Sequence, residues 1–97
     1  MKTALAEVTT ENATSLLRQL CRHWAHKFPV TFNDEHGTIE LPAAVCTLDA
    51  GAALLKVRVE VPEDGDLTRM EGVVAEHLQR FGFRETLVFD WKRPVEA

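Results

Sequence analysis

Residues 12–28 most constrain the fold of this chain, because they combine the clearest helical periodicity with the densest group of reactive side chains. Apolar side chains recur there at steps of three and four residues, which places them on one face of an α-helix. The rest of the chain must therefore supply an apolar surface that buries this face. Its members are Ala13, Leu17, Leu20, Cys21, Trp24 and Phe28.

The same helical geometry limits how this segment can bind a metal ion. Cys21 lies within the apolar face, whereas His23 falls at its flank and His26 nearly opposite its centre. Zinc ligands must converge to within about 2.0–2.3 Å of the ion, which a straight helix allows only for side chains three or four positions apart. His23 and His26 meet that spacing and Cys21 does not. Two interpretations stay open: a buried thiol beside two solvated histidines, or a histidine pair that forms half of a metal or haem site.

Length and composition indicate one globular domain over residues 1–97, with residues 93–97 as a frayed tail. The 97 residues suffice for a single hydrophobic core and are too few for a second. Hydrophobic residues make up 45% and charged residues 27%, a balance that argues against disorder. Eleven Lys and Arg against fifteen Asp and Glu give a net charge of −4, so we expect no nucleic-acid partner.

The sequence also indicates a cellular location. No apolar run approaches the roughly 20 residues of a membrane span, and the N-terminus lacks the apolar core of a signal peptide. Cys21 and Cys46 both fall on apolar faces, where thiols are more often packed than bridged, which fits a reducing compartment. We therefore expect a cytoplasmic protein with no membrane partner and no disulfide.

The segments outside the first helix predict an antiparallel sheet. Residues 3–9 predict a first strand, and the polar residues 33–37 predict a hairpin turn between short strands. Residues 55–61 predict the strongest strand, because branched apolar residues alternate there with Lys56, Arg58 and Glu60. Short turns between consecutive strands favour antiparallel pairing.

Residues 67–81 predict a second helix that preceding Asp residues can cap. Gly82 is expected to end this helix in a left-handed conformation, with Phe83 folded back on the last turn. An alternating segment then predicts a closing strand with Leu87, Phe89 and Trp91 on one side. The buried stripe of the second helix comprises Leu67, Met70, Val74, Leu78 and Phe81.

The predicted order is β-α-β-β-β-β-α-β, which favours an α+β two-layer sandwich with two helices on one face of an antiparallel sheet. The opposite sheet face would combine polar residues with Val45 and Val88, which makes it a candidate homodimer or partner surface. Its polar members are Thr31, Thr38, Thr47, Lys56, Arg58, Glu60 and Thr86.

The common catalytic templates are absent from the sequence. It contains no Gly-rich phosphate loop, Cys-x-x-Cys pair, H-E-x-x-H helix or G-x-S-x-G elbow, and both cysteines lie on predicted core faces. His77 is interpreted as a semi-buried histidine whose ring is bonded by a backbone carbonyl or a carboxylate. His36 beside Asp34 and Glu35 is interpreted as part of a polar turn in preference to a metal site. These observations favour a protein that is not an enzyme.

Two interpretations fit the basic residues beyond the helices. Arg84 and its neighbours can form ordinary surface ion pairs, each worth under about 1 kcal/mol. Alternatively, Arg84, Lys27 and His23 can meet at one end of the sheet and bind a small anion or carboxylate. The sequence leaves both open.

Four segments of the chain resemble a known bacterial family. They are residues 20–30 (LCRHWAHKFPV), 46–50 (CTLDA), 77–85 (HLQRFGFRE) and 89–91 (FDW), and they are similar to domain-of-unknown-function family 2218. Members of that family occur alone, near, or joined to siderophore-interacting proteins, which are flavin-dependent reductases of ferric siderophores. The resemblance implies a role in iron handling with such a flavoprotein as partner. The chain has no flavin or nicotinamide fingerprint, so any reductase activity would belong to the partner.

The motif residues without a packing role are the candidate ligand-binding residues. The preferred hypothesis is a binding or accessory module that needs no cofactor. A second is a site in which His23 and His26, with Cys46 or His36, hold iron, zinc or haem. A third is a structural homodimer that acts through the open sheet face. The candidates are His23, His26, Lys27, Arg84, Glu85 and Asp90.

Overall fold

A computed structural model describes residues 1–94 and shows a five-stranded antiparallel sheet in the order β1-β5-β4-β3-β2. Helices α1 and α2 cover one face of this sheet, so the predicted α+β two-layer sandwich is confirmed. In chain order the elements are β1 (Lys2–Thr9), α1 (Ala13–Ala25), β2 (Val30–Phe32), β3 (His36–Leu41), β4 (Ala44–Ala50), β5 (Leu54–Val61) and α2 (Leu67–Phe81).

Alternation of side chains along each strand determines which face is buried. Val59 on β5 pairs with Ala4 on β1 and with Cys46 on β4, and all three side chains are fully buried under the helices. Arg58, one position before Val59, points to the opposite face and is exposed. A shift of register by one residue would exchange the two faces, so the apolar pattern fixes the pairing.

Helix α1 buries the predicted stripe from Ala13 to Trp24 and also Leu16, but it ends at Ala25, three residues before the predicted end, so that Phe28 lies beyond the helix and is half-buried. The N–H of Lys27 donates to the Trp24 carbonyl oxygen at 3.0 Å, an i to i−3 bond that tightens the last turn. Pro29 disfavours helical geometry for Phe28, which explains why the chain leaves the helix here.

Helix α2 covers residues 67–81 as predicted, but the predicted left-handed cap is wrong. Gly82 has φ of −95°, which other residues adopt freely. Glycine fits instead because a Cβ there would lie 3.2 Å from side-chain carbons of Leu16 and Leu87. Phe83 is 74% exposed, so it does not fold back on the helix. Neither this helix nor any other within residues 1–94 is long and apolar enough to cross a membrane.

The closing segment, for which the sequence predicts a strand, pairs with β1 through a single bridge. Leu5 and Lys92 exchange both backbone hydrogen bonds at 2.8 Å. The next hydrogen-bonded pair would need an N–H from Pro94, which proline lacks. The predicted alternation is present: Leu87 is buried, and the partly buried rings of Phe89 and Trp91 stack with centroids 5.9 Å apart.

Arg93 is anchored to α2, although the sequence places it in a frayed tail. Its Nε lies 3.2 Å from Glu71 Oε2, and its Nη2 lies 3.3 Å from Glu71 Oε1 and 2.7 Å from Thr68 Oγ1. Glu71 is only 8% exposed, so this forked contact supplies the partner that a buried carboxylate requires. The rest of the predicted tail, residues 95–97, lies outside the described residues.

We expect Arg93→Ala to lower the free energy of unfolding by about 1 kcal/mol, because it leaves the Glu71 carboxylate without its cation. Urea denaturation followed by circular dichroism measures the change. Lys92→Ala is the matched control, since Lys92 bonds β1 only through its backbone. Equal losses in the two variants would contradict a specific contact between Arg93 and Glu71.

Candidate binding groove

The two helices lie antiparallel above the sheet, which brings the second half of α1 against the middle of α2. Near one end, Gly82 approaches Leu16 so closely that a Cβ would lie 3.2 Å from it. Further along, the rings of Trp24 and His77 lie 4.9 Å apart. A continuous contact between α1 and α2 results, and it opens into a groove where α1 ends.

Histidines from both helices meet beside this contact. The His23 ring lies 5.2 Å from the His77 ring and 5.7 Å from the Phe81 ring. His77 Nδ1 lies 2.7 Å from the Val73 carbonyl oxygen, which can only accept, so Nδ1 carries the proton and Nε2 is an acceptor in the neutral ring. The prediction that a backbone carbonyl bonds the His77 ring is therefore confirmed.

The groove runs from His77 to the turn between β3 and β4. Its volume is about 540 Å³, within the roughly 300–1,000 Å³ typical of small-molecule sites. The Asp66 side chain at its far end already accepts the backbone N–H of Arg69 at 3.0 Å as the N-cap of α2. The lining residues are Trp24, Phe28, Leu41, Pro42, Ala43, Met70 and Val73, with Asp66, Arg69 and His77 as its polar members.

Basic side chains surround His23 at the His77 end of the groove. The pKa of His23 is lowered, first by desolvation of the imidazolium and then by the nearby basic groups of His77, Arg80, Lys27 and His26. The charged groups that act on His23 are thus all basic. Among residues 1–94, no carboxylate is among the groups that shift the pKa of His23.

The six candidate residues lie in three separate parts of the structure. His23, His26 and Lys27 lie together at the end of α1, and all three are exposed. Asp90 lines a separate cavity on the open sheet face. Arg84 and Glu85 follow α2, at the other end of α1.

The Glu85 carboxylate accepts hydrogen bonds from residues just before α1. Its Oε2 accepts from Thr10 Oγ1 at 3.1 Å and from Asn12 Nδ2 at 2.8 Å. The Arg84 guanidinium lies over the Phe83 ring, 5.6 Å from its centroid. At 1.5 Å per residue, α1 separates the Glu85 carboxylate at its start from Lys27 beyond its end by about 20 Å. A meeting of Arg84 with Lys27 and His23 stays a prediction.

The side chains proposed to complete a metal site with the α1 histidines lie elsewhere. Cys46 is buried on the inner sheet face, and His36 lies on the outer face with Nδ1 2.7 Å from Asp49 Oδ1. Asp34, near His36 in sequence, is bound by the Arg18 guanidinium. Among residues 1–94, no group of three or more His, Cys, Asp or Glu side chains is arranged to hold a metal ion.

The open sheet face carries a second cavity, of about 530 Å³. Three basic and three acidic side chains line it, so opposite charges largely offset one another, and its surface is more polar than that of the groove. This arrangement favours the groove as the binding site for an apolar ligand. The homodimer through this face stays a prediction. The cavity is lined by Leu5, Glu7, Asp49, Lys56, Arg58, Asp90 and Lys92 together with the backbone of Ala6 and Val57.

Sequence reasoning missed Arg80 and the turn residues Pro42 and Ala43. A signal existed for Arg80, which follows His77 by three positions and therefore lies on the same flank of α2. No comparable signal marks Pro42 and Ala43, because their place in the groove depends on how the turn between β3 and β4 meets the helices.

Comparisons with known proteins agree with this fold. Residues 5–92 match a family model described as an uncharacterized protein conserved in bacteria, DUF2218, which confirms the family resemblance. The chain is similar to PA4090 from Pseudomonas aeruginosa, whose NMR structure has 35% sequence identity and a TM-score of 0.80 over 100% of both chains. A search of curated proteins finds no match.

Proposed function

We propose that this chain, which belongs to the DUF2218 family of uncharacterised bacterial proteins, is a non-enzymatic binding domain that holds a small aromatic molecule in the α1–α2 groove. The observation that carries this proposal is the lining of the groove. Trp24 and Phe28 offer aromatic surfaces, and Met70 offers a polarisable thioether that adapts to irregular ligands.

The polar groups of the groove support binding over catalysis. Asp66 is engaged as a helix cap, and both cysteines are buried in the core. His77 alone among the polar lining residues combines a titratable ring with an uncommitted nitrogen, and within residues 1–94 no side chain of an acid or nucleophile bonds to that ring. A general base without a partner nucleophile fits ligand orientation better than covalent chemistry.

The family resemblance extends this proposal towards iron handling. In this extension an aromatic group of the ligand binds in the groove, and a flavin-dependent siderophore reductase is the partner that supplies electrons. In this scheme the chain binds or presents the siderophore and does not reduce it. Turnover of a ferric siderophore by the purified chain alone would contradict the proposal.

We expect the neutral probe 2-naphthol to bind in the groove and Ala43→Trp to weaken that binding at least about tenfold, because the new indole fills the space. Titration of ¹⁵N-labelled protein followed by NMR measures this. The indole N–H of Trp24 should shift, whereas that of Trp91, which is outside the groove lining, should not.

Ala52→Trp is the matched control, since Ala52 is an exposed alanine in the turn between β4 and β5, away from the groove. This variant should bind 2-naphthol like the parent. Resonance shifts confined to Lys56 and Lys92 would place the probe on the open sheet face and refute the groove as the site.

A further inference from the structure

We propose that the natural ligand of the groove is an aromatic carboxylate, whose carboxylate group binds at the His77 end against a basic cluster contributed by both helices. The basic cluster comprises His23, His26, Lys27, His77 and Arg80. This inference rests on the proposed function and names the class of ligand for the same groove.

The first support is shared geometry between the cluster and the groove. His77 lines the groove and also contacts His23, with ring centroids 5.2 Å apart. Trp24 likewise lines the groove and lies 4.9 Å from His77. An aromatic ring lying against Trp24 would therefore carry a substituent at its His77 end directly towards the cluster.

The second support is the sign of the charge. Lys27 comes from the end of α1 and Arg80 from the last turn of α2, and both are close enough to His23 to act on its ring. The negative end of a helix dipole explains a cation at each helix terminus. It does not explain why cations of two helices converge on one imidazole. A bound carboxylate supplies the missing counter-charge and can accept hydrogen bonds from Lys27 and Arg80.

The third support is that carboxylate binding should be coupled to protonation of His23. In the free protein, desolvation and the surrounding basic groups lower the pKa of His23, so its ring is neutral near pH 7. A carboxylate beside the ring favours the imidazolium, so binding raises this pKa and takes up a proton. Affinity for the carboxylate should therefore rise as the pH falls from about 7.5 to about 6.

Both helices contribute groups that face the His23 imidazole. His26 and Lys27 come from the end of α1, and His77 and Arg80 come from α2. At the other end of the groove are Asp66 and Arg69. A neutral ligand offers none of these groups a charge, so its affinity should stay nearly constant over the same pH range.

The test compares 2-naphthoate with 2-naphthol, which share a ring system and differ in charge near neutral pH. We expect 2-naphthoate to bind about fivefold to tenfold more tightly at low salt, with the difference shrinking as salt screens the cluster. Arg80→Gln should weaken 2-naphthoate about fivefold and leave 2-naphthol unchanged. Calorimetry and NMR titration measure both ligands.

Arg22→Gln is the matched control for Arg80→Gln. It also removes one positive charge, from the last turn of α1, but Arg22 does not belong to the basic cluster. It should change 2-naphthoate affinity less than about twofold. His23→Gln should keep 2-naphthol binding and remove most of the pH dependence for 2-naphthoate. Each variant is checked for an unchanged amide spectrum, so that a folding defect is recognised.

The outcomes separate the two proposals. Failure of both probes to bind refutes the groove itself. Equal affinity for both probes, or equal effects of Arg80→Gln and Arg22→Gln, leaves the groove in place and overturns the carboxylate. Tight, selective and pH-dependent binding of 2-naphthoate supports both.

Discussion

Neither cysteine of the native protein should react measurably with Ellman's reagent at about pH 8, and both should react within seconds after unfolding. Cys21 and Cys46 are free thiols that are fully buried. Burial raises the pKa of Cys21 to about 11 and that of Cys46 to about 12, so the reactive thiolate is rare at this pH. We expect both thiols to be modified at least about a thousandfold more slowly than exposed cysteines, because modification requires the core to open.

Absorbance at the wavelength of the released thiolate measures the rate, with and without urea. Cys21→Ala and Cys46→Ala variants assign it to each position. Ala52→Cys is a positive control, since that turn is exposed and its thiol should react at once. Fast modification of Cys21 in the native state would contradict its burial. It would indicate instead that Cys21 is a reactive thiol near the α1 histidines.

Patterns that repeat along the chain predicted most of the fold. Alternation fixes the inner face of β5, where Val57 and Val59 are buried while Lys56 and Arg58 are exposed. Helical spacing placed α2 correctly over residues 67–81. Both patterns follow from the backbone period alone, so a single sequence is sufficient to read them.

Features that depend on a distant partner could not be read in this way. Gly82 looked like a left-handed cap, but its requirement is space for Leu16 and Leu87, which come from other parts of the chain. Glu71 is buried with a partner, Arg93, that reaches it from the closing segment. Helical and alternating periods carry no information about such contacts.

The same limit governed the candidate site. His23 was identified from its own helix, whereas its neighbours His77 and Arg80 come from α2. Which residues meet depends on the direction and offset of α2 against α1. Glu85 is the opposite case. The sequence shows no packing role for it and therefore indicates a ligand-binding residue, whereas its carboxylate bonds Thr10 and Asn12 at the start of α1.

Gly37→Ala should lower the free energy of unfolding by about 2–3 kcal/mol, because the added methyl group collides with the core. A Cβ at Gly37 would lie 2.7 Å from Cys21 Sγ, well inside van der Waals contact. Gly37 is buried on the inner face of β3 under α1, where close packing leaves little room for relaxation. Urea denaturation followed by circular dichroism measures the loss.

Cys21→Ala tests the cause of this loss, because it removes the sulfur that the new methyl group would meet. The next atoms, Phe32 Cβ and Leu17 Cδ2, lie 3.3 and 3.5 Å from the added Cβ and tolerate it with small shifts. The double variant should therefore be about as stable as Cys21→Ala alone, which corresponds to a coupling energy of about 2–3 kcal/mol in a double-mutant cycle.

Gly72→Ala is the same chemical change as Gly37→Ala but should raise the free energy of unfolding. Gly72 lies exposed within α2, and a Cβ there would meet no atom within 4 Å. Alanine favours the helix, so this variant should gain about 0.5–1 kcal/mol. The placement of α1 on β3 predicts three results together. Gly37→Ala should lower the free energy of unfolding, Gly72→Ala should raise it, and Cys21→Ala should remove the effect of Gly37→Ala. Additive losses from Gly37→Ala and Cys21→Ala would show that the two residues do not touch, and the placement of α1 over the sheet would then be wrong.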